Sequence, residues 1–78
     1  MSNYQYRTYD SDGAAVYTSA SQGHTDLTAV MFHADGHLLD PVAELATISI
    51  VNPNGVHRET VYTKNKNAAD SPIWERTS

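Results

Sequence analysis

The stretch DLTAVMFHADGHLLD, residues 26–40, decides how the rest of the chain is read. Leu27, Val30, Met31, Ala34 and Leu38 fall at i, i+3, i+4, i+7 and i+11, which places them along one side of an α-helix. Thr25 stands where an N-cap side chain accepts from the first free amides. Asp26 suits the positive end of the helix dipole, and Gly36 stands where a C′ glycine stops a helix. The competing reading makes residues 27–33 a strand, with the Asp-Gly pair closing a hairpin. The helical period accounts for more of the apolar residues, so a helix ended by Gly36 is the expectation.

On either side of this segment lie two hairpin signatures, DSDG (10–13) and NPNG (52–55), each ending in a glycine that takes φ > 0 without steric cost. Around NPNG, ELATISIV and VHRETVY are rich in β-branched residues. A type I turn with Gly55 as the bulge residue sets Ile50 opposite Arg58, Ile48 opposite Thr60 and Ala46 opposite Tyr62. One face then carries Ala46, Ile48, Ile50, Val56 and Tyr62 with the stem of Arg58. The other carries Thr47, Ser49, His57 and Glu59, with Val51 and Val61 less comfortably placed. Around DSDG, the same logic puts Tyr4, Tyr6 and Thr8 on one face with Val16 and Thr18. Gln5, Arg7 and Tyr9 share the other with Ala15, Tyr17 and Ser19.

The expected architecture is α+β in ββαββ order: one antiparallel sheet from two hairpins, with a short helix packed on one face and the other face partly exposed and aromatic. The alternative is an all-β meander of three hairpins. Residues 1–66 read as a single domain. Residues 67–78 read as a flexible C-terminal tail anchored by Ile73 and Trp74, because KNKNAADSP is polar and rich in small residues.

His33 and His37 invite a metal reading, since a helix stacks residues i and i+4 on one side. The residue beside them is not the glutamate of a zinc-protease motif, and a helix ended by Gly36 swings His37 away from His33. No metal and no cofactor are expected. DSDG fails as a calcium loop, because its sixth and twelfth positions are Ala15 and Ser21. There is no nucleophile elbow and no glycine-rich phosphate loop. A chain of 78 residues also has little core with which to enclose a pocket. Catalysis is therefore not expected; the enzyme alternative is a small metal-dependent hydrolase using His33 and His37.

Five Lys and Arg against nine Asp and Glu disfavour direct nucleic-acid binding, which draws on cationic contacts to phosphate. The carboxylates are scattered rather than arrayed, so nucleic-acid mimicry is not indicated either. No apolar run approaches the roughly 20 residues that span a bilayer. The absence of cysteine and of a signal-like N-terminus suggests a soluble, cytoplasmic protein. What remains is a surface. Arg7, Tyr9, Tyr17 and Trp74 are the candidate partner-binding residues, because Tyr, Trp and Arg combine apolar area with a polar end. The expected function is a small non-catalytic protein-binding module. It would be an inhibitor or accessory factor acting on a larger protein or complex, a phage-type inhibitor of host defence being one form this could take. The alternative within this class is a homodimeric interaction protein.

Overall fold

In a computed structural model that describes residues 3–20, 24–51, 58–66 and 73–77, six elements follow in chain order. They are β1 (Asn3–Tyr9), β2 (Ala15–Thr18), α1 (Leu27–Leu38), β3 (Leu45–Val51), β4 (Arg58–Asn65) and β5 (Glu75–Arg76). The strands form one sheet in the order β2-β1-β3-β4-β5, antiparallel at every pairing. The ββαββ architecture read from the sequence is thus the fold. The segment 27–38 is helix rather than a third hairpin, which sets aside the all-β alternative.

β2 and β3 flank β1 and run parallel to each other, so α1 crosses over β1 to join them. The expected stripe is what the helix buries: Val30, Ala34 and Leu38 are fully covered, and Leu27 and Met31 are half-buried. Val30 and Ala34 meet Tyr6, Ile48 and Val61, with Tyr4, Ile50, Tyr62 and Trp74 around them. Leu38 forms a second cluster with Ala43 and Ala46 at the far end.

Two details of the helix differ from expectation. Its N-cap is Asp26, extended at φ −101° and ψ 108°, whose Oδ1 accepts from Thr28 N at 3.0 Å, so Thr25 is not the cap. More consequentially, α1 does not stop at Gly36. It runs through to Leu38, and Leu39 caps it in a right-handed conformation with its amide on the carbonyls of Gly36 and His37. Burying Leu38 beside Ala46 requires that last turn, and this gain outweighs the glycine's weak helix propensity.

The DSDG turn forms as expected. Gly13 has φ +85°, Gly13 N donates to Asp10 O, and Asp10 Oδ1 accepts from the amides of Asp12 and Ala14. The register then departs from the simple alternation. Tyr9 lies opposite Ala15, but Thr8 lies opposite Tyr17, so Val16 is an extra, bulged residue. The bulge moves Tyr17 to the face of Tyr6 and Thr8, and moves Thr18 to the face of Arg7.

A second bulge alters β4. The NPNG turn lies outside the described residues, but the pairs that follow are Val51 with Arg58, Ile50 with Glu59 and Ser49 with Thr60. The register then jumps to Ile48 with Tyr62 and Ala46 with Lys64. Val61 is the extra residue, and both it and Tyr62 join the core beneath α1. The expected opposition of Ile50 to Arg58, Ile48 to Thr60 and Ala46 to Tyr62 is therefore corrected. Ala46, Ile48, Ile50 and Tyr62 keep their common face, while Arg58, Glu59 and Thr60 each change sides.

Together the bulges gather Tyr4, Tyr6, Tyr17 and Tyr62 on the helix side. The opposite face is not the aromatic one expected. Tyr9 is its sole aromatic among the described residues, beside Thr18, Thr47, Ser49, Thr60 and Thr63. There Ser49 Oγ and Thr60 Oγ1 hydrogen-bond across the strands at 3.3 Å, and buried Gln5 donates to Ser19 O at 2.9 Å. At the C-terminal end, residues that the sequence places in the tail add β5 to the edge of β4. Thr77 N donates to Val61 O, and Trp74 packs on both core clusters. No helix among the described residues is long and apolar enough to cross a membrane.

Ile48 is fully buried at the centre of the sheet. Ile48→Ala should lower the unfolding free energy by about 2–5 kcal/mol in a urea titration. Arg76→Ala, at an exposed edge, should change it by no more than about 0.5 kcal/mol.

Candidate functional site

The unbroken helix changes the standing of the two histidines. They do lie one turn apart on a continuous α1, contrary to the swing expected from a terminating glycine. Their surroundings, however, engage them differently. The His37 ring stacks on Tyr17 with centroids 3.7 Å apart and planes at 11°, and Tyr17 stacks in turn on Tyr6 at 5.7 Å. His33 is exposed, with its ring edge-on to Phe32 at 6.0 Å. Asp35 pairs with Lys64 at 2.6 Å, and Asp40 Oδ1 accepts from Val42 N. Among the described residues no group of three or more His, Asp or Glu side chains is arranged to hold a metal ion.

The four candidate partner-binding residues do not share a surface. Tyr17 lies on the helix side, in the row Tyr6–Tyr17–His37. Arg7 and Tyr9 lie on the opposite face of β1. Trp74 is half-buried under the end of the helix, with the Lys64 ammonium 5.8 Å from its ring. The pairing of Tyr9 with Tyr17 assumed unbroken alternation in β2, and the Val16 bulge breaks it.

The apolar surface left over is elsewhere. α1 and its C-cap present Ala29, Phe32, Gly36 and Leu39 away from the sheet, and all four are exposed; Phe32 is 76 % and Leu39 80 % accessible. These positions recur at i, i+3, i+7 and i+10, so they form a line opposite the buried stripe. A hollow of 320 Å3 lies among Phe32, Asp35, Gly36 and Leu39. Another of 410 Å3 adjoins it between Leu38, Leu39, Lys64 and Lys66. The rim is charged: Lys64 is held by Asp35, and Lys66 Nζ donates to Asp40 O at 2.9 Å. This line was visible in the sequence as a second helical row. Reading Gly36 as the helix end cut the row in two and hid it.

A third hollow, of 710 Å3, lies on the opposite face between the β1–β2 turn and the start of β3, lined by Tyr9, Asp10, Glu44 and Thr47 among others. One of its carboxylates, Asp10, accepts from the turn amides of Asp12 and Ala14. The buried polar atoms without hydrogen-bond partners, Gln5 Oε1, Arg7 Nε, Thr8 Oγ1 and Trp74 Nε1, line none of these three hollows.

Comparison with protein-family models, with curated proteins and with solved structures finds no match to this chain.

The Tyr6 phenol is pushed above the ordinary value of 10.0, first by burial and then by the neighbouring Tyr17 phenol. The unfolded chain therefore releases this proton first, and the stabilisation is complete below pH 10 and lost as pH climbs through the folded value. As pH rises above about 10, urea midpoints should fall more steeply for the wild type than for Tyr6→Phe. A constant difference between the two proteins across that range would count against the assignment.

Proposed function

We propose that this chain is a non-catalytic protein-binding module, an inhibitor or accessory factor that docks through the outer face of α1. The observation carrying this reading is the exposure of Phe32 and Leu39 on either side of Gly36. Large apolar side chains aligned on a solvent-facing helix row, rimmed by charge, suit a surface that a partner covers. They supply the apolar area of a contact, and Asp35, Lys64 and Lys66 supply its polar margin.

The reading places binding on the helix rather than on Arg7, Tyr9, Tyr17 and Trp74. Those residues are divided between two faces and a core contact. A hydrolytic role for His33 and His37 has less support, because His37 is stacked on Tyr17 and Asp35 is paired with Lys64. The lack of cysteine favours a reducing, cytoplasmic setting for the contact.

Immobilised wild-type protein should retain a specific protein from a lysate of the source cell. Phe32→Ala and Leu39→Ala should each lose it, while Tyr9→Ala on the opposite face should keep it. Retention of the same species by both helix variants would place the contact elsewhere.

A further inference from the structure

We propose that Arg7 and Gln5 form a phosphate site on the face of the sheet turned away from α1, taking a hydrogenphosphate ion or a phosphate monoester. The site lies across the sheet from the outer face of α1 and does not depend on the docking role proposed there.

Arg7 stands on β1 directly between Thr18 of β2 and Thr47 of β3. It is half-buried, and its Nε is closed off from solvent. Among the described residues no acceptor meets that Nε, and no carboxylate pairs with the guanidinium. A long cationic side chain keeps its outer nitrogens in water while its stem lies on the protein, but a covered Nε–H gains nothing from this. Covering part of a cation without a partner is costly, so the position calls for an acceptor from outside the chain. The two lysines by the helix end differ in this respect, since Lys64 is paired with Asp35 and Lys66 donates to Asp40 O.

The surroundings favour an anion. Of the strand residues on this face, only Arg7, Arg58 and Glu75 are charged. Glu75 is three strands away from Arg7, roughly 14 Å at the usual strand spacing. The strands of this face are thus net positive in a chain of net charge −4. Thr18 and Thr47 add a hydroxyl on either side of the guanidinium. One guanidinium fork suits a single oxyanion rather than a nucleic-acid backbone, which needs a row of cations.

Gln5 selects among the oxyanions. It follows Arg7 on the same face, two residues along β1, and is only 6 % accessible. Its Nε2 donates to Ser19 O at 2.9 Å, which leaves Oε1 as the free end, and that oxygen is buried without a partner. Gln5 therefore needs a donor where Arg7 needs an acceptor. Carboxylate and sulfate only accept. A hydrogenphosphate ion, or a singly protonated monoester, does both: its oxygens accept from the guanidinium, and its P–OH donates to Gln5 Oε1.

Nuclear magnetic resonance of the full chain at about pH 6, titrated with sodium phosphate to about 50 mM at constant ionic strength, tests this. The expected result is a saturable shift of the Arg7 Nε–Hε resonance, with a dissociation constant of about 1 to about 10 mM. Sulfate should bind at least about fivefold more weakly, for want of the hydrogen bond to Gln5. Arg7→Lys keeps the charge but loses the fork, and should weaken phosphate binding at least about tenfold. Amide dispersion checks that this variant folds; if it does not, the sulfate comparison on the wild type decides. Phosphoserine binding at least as well as inorganic phosphate makes the ligand a monoester, and binding of inorganic phosphate alone makes it the free ion; either result upholds the site. A response that does not saturate, one that chloride reproduces, equal binding of sulfate and phosphate, or indifference to Arg7→Lys in the folded variant overturns the proposal.

Discussion

The contact of Val30 and Ala34 with Tyr6 and Ile48 is the constraint on which the other features depend. A single short helix must cover one face of a five-stranded sheet, and it does so by lying over β1 and β3 at the centre. Ala34 is fully buried in that contact, together with Tyr6 and Ile48. The flanking strands then have to bring apolar side chains inward from the margins. Tyr17 does this from β2, Val61 and Tyr62 from β4, and Trp74 from the segment before β5.

That demand gives the two bulges their physical sense. In an unbroken β2, Tyr17 would point away from the helix, and in an unbroken β4 only one of Val61 and Tyr62 could face it. One extra residue in each strand reverses the alternation where burial gains most. The result is a sheet whose helix side carries the aromatics and whose other side is rich in threonine.

The order of the first five elements and the buried stripe of the helix were legible because both are local patterns, whereas β5 was read as tail. Leu27, Val30, Met31, Ala34 and Leu38 advertise their period directly, and DSDG carries its turn chemistry in four residues. The bulges were not legible, because nothing local marks Val16 or Val61 as an extra residue; the core beneath α1 decides them. Gly36 misled for the opposite reason. Its local meaning, a helix stop, was overridden by the burial of Leu38 one half-turn later. With that error went the only large apolar row left facing solvent on α1, and with it the candidate site.

The continuity of α1 through Gly36 therefore decides both the fold's last helical turn and the existence of the outer face. Carbon-13 secondary chemical shifts across residues 33–39 measure it directly. Helical values at Asp35, Gly36, His37 and Leu38 are predicted, with the helix signature ending at Leu39. Helical values that stop at Asp35, with a left-handed Gly36, would contradict the account, since Phe32 and Leu39 would then no longer share a face.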